Sequence, residues 1–181
     1  MFLYEIEPGL AFKPLEFRDV EPLFTLINES REHLRSYLAF VDLTKGIDDT
    51  KDFVEQTIRD NADRKSFVTV ILVDDQTAGL VGFNQINWTN KHAELGYWLG
   101  ASFVRKGVMT KSVRVLVDHA FERLGLNRVE ILAATGNQAS RGVAEKLGFV
   151  HEGTIREKEW VNDRFVDHEI YGMLKRDWQM N

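Results

Sequence analysis

The pattern that most constrains this chain is a strand–helix–strand succession between residues 93 and 134. Ala93–Leu99 reads as a strand. Val108–Leu124 then places Val113, Leu116, Val117, Ala120 and Phe121 on one helical face, and Gly125 stops it. Val129–Ala134 is again a strand. Strands joined by a helix of this length lie parallel, with the helix crossing over one face of the sheet. The helix opens on a short basic turn, Arg105-Lys106-Gly107-Val108-Met109-Thr110-Lys111-Ser112. A second helix, Gln138–Leu147, follows the next strand, with a polar start at Asn137 and a stop at Gly148. The first N–H groups of a helix lack intrahelical partners, so each start is an anion site. Two such starts after neighbouring strands point to a phosphate-bearing cofactor gripped at one end and positioned for chemistry at the other.

The rest of the chain supplies a mixed sheet flanked by helices. Leu10–Phe17 alternates as a strand, Pro14 implying an edge or bulge position. Asp19 precedes a helical stripe of Val20, Leu23, Phe24 and Ile27, and Asp48-Asp49 opens another carrying Phe53, Val54, Thr57 and Ile58. Phe67–Val73 is a buried strand, and Leu80–Asn87 is the one before Ala93–Leu99. Two final strands, near Ile155–Val161 and Phe165–Leu174, meet at Asn162-Asp163, a hairpin turn. Without repeats or a Pro/Gly-rich linker, residues 1–181 read as a single domain.

Composition removes several classes of function. A net charge of −5 argues against general nucleic-acid binding, although Arg105, Lys106 and Lys111 could form a local basic patch. With no cysteine there is no disulfide, no thiolate metal site and no Cys-acyl intermediate. Neither a signal peptide nor an apolar run of membrane-spanning length is visible, so a cytoplasmic location away from membranes is expected. His33, His92, His119, His151 and His168 lack ligand spacing, and Asp167-His168-Glu169 alternates across a strand, so no metal site is expected. Among the aromatics, Phe83, Trp98 and Phe149 read mostly as core or groove wall. Trp88 and Trp160, flanked by polar residues, read as pocket-liners.

The Lys111-Ser112 ending resembles a nucleotide P-loop, but glycine is missing where this chain has Arg105 and Thr110. A dinucleotide fingerprint fails too, with only one of three glycines. What the segments together resemble is the GCN5-related N-acetyltransferase (GNAT) superfamily, and within it the Rim-type branch that acetylates ribosomal-protein N-termini. The pyrophosphate loop of that family, [QR]-x-x-G-x-[GA], falls on Val104–Met109 with its glycine at Gly107, and departs at Val104 and Met109. Ala93-Glu94-Leu95-Gly96-Tyr97-Trp98-Leu99 is similar to the Rim-type E-[IL]-G-Y-W-[IL] strand. Asn137-x-x-Ser140 before Glu145-Lys146-Leu147-Gly148-Phe149 is similar to the second cofactor segment, and Leu15–Asp19 to the branch's start.

The resemblance implies a GNAT fold of class α/β: a central, mostly antiparallel sheet whose fourth and fifth strands are parallel and splay apart. Acetyl-CoA lies in that gap. Its pantetheine would pair with the Tyr97–Leu99 backbone like an added strand, and its pyrophosphate would meet the N–H groups of Arg105, Lys106, Gly107, Val108, Met109 and Thr110. An amine attacks the thioester directly, which requires a neutral amine, an oxyanion donor and a proton for the departing sulfur. A Tyr97–Leu99 N–H is the natural oxyanion donor. Ser140 is the acid that the Rim-type pattern offers, unless its hydroxyl only satisfies its own helix's first turn. Glu159 aligns with the branch's proposed base, or else faces solvent in a charged run. Glu94, acting through a water, is its rival, and His92 and His168 are weaker candidates. The acceptor implied is a protein N-terminal Ser or Ala in a ribosomal context. A free amino acid, polyamine or drug is the alternative, as is a non-catalytic acetyl-CoA sensor. The oligomeric state is not readable from the sequence, although relatives often self-associate through the hairpin region, which leaves a homo-oligomer open.

Overall fold

The computed structural model describes residues 3–179. Its strands are β1 (Tyr4–Glu7), β2 (Leu10–Pro14), β3 (Phe67–Val73), β4 (Gln76–Asn87), β5 (His92–Leu99), β6 (Arg128–Ala134), β7 (Val150–Val161) and β8 (Arg164–Leu174). The helices are α1 (Val20–Glu29), α2 (Arg31–Leu34), α3 (Phe40–Leu43), α4 (Ile47–Ala62), α5 (Val108–Glu122), α6 (Gln138–Lys146) and α7 (Lys175–Trp178). All eight strands form one sheet in the order β1-β2-β3-β4-β5-β6-β8-β7. Every neighbouring pair is antiparallel except β5 and β6. The parallel pair is the one that the intervening helix requires.

Helices cover both faces. Val113, Leu116, Val117, Ala120 and Phe121 of α5 are buried against Phe83, Leu95, Val129, Ile131, Tyr171 and Met173. On the other face Leu23 of α1 and Val54 of α4 pack on Val70, Leu72 and Leu80. A buried Lys13–Asp19 ion pair staples β2 to the start of α1. Their pairing has no signature in the sequence, because the partners lie across a turn rather than at helical spacing. Asp19 also accepts the Glu16 N–H at 2.9 Å, so its side chain serves the preceding turn instead of capping α1.

Element boundaries differ from the sequence reading mainly at the sheet margins. The first expected strand ends at Pro14, and Phe17–Asp19 is a 3-10 turn. Pro14 is the last residue of β2, opposite Thr69 of β3. β4 starts at Gln76 and β7 at Val150, earlier than expected. Both added stretches are polar, and β7 is an exposed edge strand, so alternation is weak there. β1, α2 and α3 are four residues each, too short to show a period. The Asn162-Asp163 turn forms as expected, both residues having positive φ (50° and 60°).

Candidate active site

The parallel β5–β6 ladder begins at His92↔Arg128 and ends at Leu95↔Ile131. Beyond it β5 continues to Leu99, paired only with β4, while β6 continues to Ala134, paired only with β8. The sheet therefore splits, leaving the Gly96–Leu99 edge open toward the gap. A Cβ built on Gly96 would fall 2.1 Å from Asn84 Nδ2, at the residue where β4 bulges. The absent side chain leaves room for the Asn84 amide to lie over β5 beside the split.

A cleft of about 1740 Å³ follows the split, larger than the roughly 300–1,000 Å³ that ordinary ligand pockets span. The volume admits two reactants. Its walls include Glu94, Tyr97, Trp98, Leu99, Arg105, Gly107, Val108, Met109, Thr110, Asn137, Ser140 and Glu159. Among the residues expected at the cofactor, Lys106 is the exception: it lies over the Phe103 ring at 5.8 Å and is not on the wall. Lys111 is also diverted, its Nζ pairing with Glu7 at 2.6 Å. The basic patch is thus reduced to Arg105 at the cleft. Trp88 donates to the Arg64 carbonyl and Trp160 packs edge-on to Phe165, so neither lines this cleft. Both look polar-flanked because they lie on exposed margins.

Arg105 (φ 62°) and Gly107 (φ 75°) both take left-handed backbone, turning the chain into α5. The first intrahelical bond there is Lys111 N–H to Gly107 O, and no side chain caps the helix. The N–H groups before Lys111 are free to face an anion where the helix carries roughly +0.5 charge. At the start of α6, Asn137 Oδ1 accepts the Ser140 N–H at 3.1 Å. The Ser140 hydroxyl is directed away from its own helix. It donates to the Tyr97 hydroxyl at 3.2 Å, while that phenol donates to the Ser140 carbonyl at 3.1 Å. Burial pushes the Tyr97 phenol up to about 12, against the lowering effect of the Ser140 hydrogen bond, so it remains protonated. Tyr97 was expected to contribute its backbone alone. Its side chain could have been placed by strand parity, since residues 95, 97 and 99 face α5 and α6 while Glu94 faces the other way.

Glu94 lies one residue before the ladder ends. Burial, reinforced by Glu130, raises its carboxyl above the ordinary range, and Lys158, His168 and His92 partly offset this. Glu159 Oε2 is 3.1 Å from His168 Nε2, so the histidine accompanies the candidate base rather than competing with it. Two hydrogen bonds brace the rim of the cleft: Tyr37 Oη donates to the Gly136 carbonyl at 2.7 Å, and Asn162 Nδ2 to the Arg35 carbonyl at 2.7 Å. These ties hold the α2–α3 segment against the α6 loop and the β7–β8 hairpin. His151 and Glu169 meet at 2.6 Å on the sheet's opposite face from His168. No cluster of three metal-binding side chains exists among the described residues.

A split parallel pair, an open strand edge and an uncapped helix start define the site of an acyltransferase that takes its acyl group from a phosphate-bearing carrier. The chain belongs to the GNAT acetyltransferase family: the family's Acetyltransferase (GNAT) domain matches residues 10–150. It is 34% identical over 180 residues to a Bacillus subtilis protein provisionally named ribosomal N-acetyltransferase YdaF, covering 99% of this chain and 98% of that one. The structure of RimL, ribosomal L7/L12 alpha-N-protein acetyltransferase, in complex with coenzyme A superposes with a TM-score of 0.93 at 26% identity, covering 98% of this chain and 99% of that one. Microcin C7 self immunity acetyltransferase MccE in complex with acetyl-CoA and AMP gives 0.90 at 29% identity, covering 93% of this chain and 94% of that one. The chain is therefore an acetyl-CoA-dependent acetyltransferase, and the chemistry of its cleft fits that cofactor: the open β5 edge offers unpaired backbone groups that an amide-bearing chain could use, and the uncapped α5 start offers N–H groups that suit phosphates.

Proposed function

We propose that this enzyme acetylates a polypeptide N-terminal amine, a Ser or Ala terminus of a ribosomal protein. The observation that carries the reading is the placement of opposed proton-handling groups about the split. Glu94 and Glu159 stand on one wall and the Ser140–Tyr97 pair on the other. Bound acetyl-CoA supplies the activated acetyl group. Glu159, steadied by His168, takes the proton from the acceptor ammonium, and Glu94 is the second carboxylate within the cleft. The Gly96–Leu99 edge presents backbone N–H groups where negative charge develops, the usual device for acyl transfer. Ser140 Oγ gives the departing sulfur its proton and is reprotonated from solvent, while the Tyr97 phenol, its hydrogen-bond partner, holds the hydroxyl in place. Gly107–Thr110, Arg105 and Asn137 hold the carrier. Homologues named for ribosomal substrates support the acceptor class.

An Escherichia coli relative, 26% identical over 161 residues, is named spermidine N(1)-acetyltransferase, which supports a small amine as the second reading. The test is acetylation of matched peptides with free or blocked N-termini beside a panel of small amines. Acetyl appearing on the free α-amine, at a kcat/KM above every small amine, supports the proposal. A small amine outperforming all peptides overturns it.

A further inference from the structure

Resting on that reading of the site, we infer that the acceptor half of the cleft selects a polypeptide carrying further positive charge just beyond the reacting amine. The cleft is divided electrically. Its cofactor half contributes Arg105, Lys146 and the positive end of α5. The opposite half, formed by α4, the start of the split and the β7–β8 hairpin, contributes Asp49, Asp52, Asp60, Glu94 and Glu159 against Lys158. A groove with this excess of one sign between apolar walls concentrates the opposite charge and repels its own. A carboxylate-rich peptide would meet that repulsion directly; a lysine- or arginine-bearing one would relieve it. Relief would be felt at Glu94 in particular, which burial and Glu130 already disfavour as an anion.

Two further features mark this wall. Thr50 is 3% exposed and lies on the cleft between Asp49 and Asp52, yet its hydroxyl has no hydrogen-bond partner. Buried hydroxyls are normally satisfied, so this orphaned one marks the wall as a place where α4 is not fully packed. Leu43 (72% exposed) and Phe53 (48% exposed) line the same groove. Uncovered apolar side chains beside carboxylates fit a chain with both alkyl and cationic parts, longer than a simple amine. The shared chemistry is a second cation, which a polyamine also carries, and the test separates the two.

The experiment measures kcat/KM with acetyl-CoA for Ser-Ala-Lys-Lys, Ser-Ala-Gln-Gln and Ser-Ala-Glu-Glu peptides and for spermidine, at low and high salt. The melting-temperature shift on adding acetyl-CoA is read in parallel. The expected result is a basic-over-acidic preference of roughly tenfold or more, shrinking as salt screens it, with spermidine below the basic peptide. Asp52→Lys, an exposed substitution, should lower that preference several-fold, with the acetyl-CoA shift showing the variant folded. Spermidine exceeding every peptide would keep the second-cation rule but overturn the polypeptide part. Equal use of basic and acidic peptides would overturn the inference while leaving N-terminal acetylation intact. Turnover of none of them, with the acetyl-CoA shift intact, would overturn both the inference and the peptide reading and leave only the cofactor site.

Discussion

Ser140 and Tyr97 form one unit, although 43 residues separate them. If that unit returns the proton to sulfur, Ser140→Ala removes an interaction needed for chemistry and little that binds the carrier. Single-turnover kinetics should then show a loss in kcat of about 10²–10⁴-fold, with acetyl-CoA affinity changed only a few-fold. Equal losses in both would reduce Ser140 to a binding role. On the other wall, Glu159→Gln should remove the rising limb of kcat/KM against pH. A limb that persists in Glu159→Gln and vanishes in Glu94→Gln assigns the proton to Glu94. Its raised pKa would then place the limb above the ordinary carboxylate range.

Glu169 is where three segments meet at the end of the sheet beside the α6 loop. Its carboxylate accepts from Thr154 and His151 of β7 and from Thr135 after β6, and these hydrogen bonds lower it to about 2. An unfolded glutamate titrates near 4.3, so as pH falls the unfolded chain takes up the proton first. The stabilisation is therefore fully present above about pH 4.3 and is lost as pH falls toward 2. Urea midpoints measured between pH 7 and pH 2 should fall for the wild type. Glu169→Gln should be less stable at pH 7 and fall less steeply, and a variant slope equal to wild type would contradict this tie. Such an arrangement was not legible from residues 167–169: alternation told that His168 and Glu169 face apart, but not that each finds its own partner across β7. What the sequence does show clearly is α5 and its flanking strands. There the apolar period, the stop at Gly125 and the left-handed glycine at 107 all act locally. The α2–α3 wall, Tyr97's reach to Ser140 and the diversion of Lys106 and Lys111 are tertiary contacts with no local signature.

At the scale of the whole molecule, a chain of net charge −5 holds a polyanionic carrier. On the proposed reading it does so by geometry more than by cationic side chains. The split between β5 and β6 exposes a strand edge, and the crossover helix that makes those strands parallel also aims its free N–H groups at the mouth. The same topology brings the α4 wall and the β7–β8 hairpin round the opposite side of the split, where the proposed acceptor would approach. The most direct measurement is amide hydrogen exchange with and without coenzyme A, resolved by residue. Protection gained at Gly96–Leu99 and at Gly107–Thr110 is the predicted result. Binding with neither segment protected, or with protection confined to the α4 wall or the hairpin, would contradict the account.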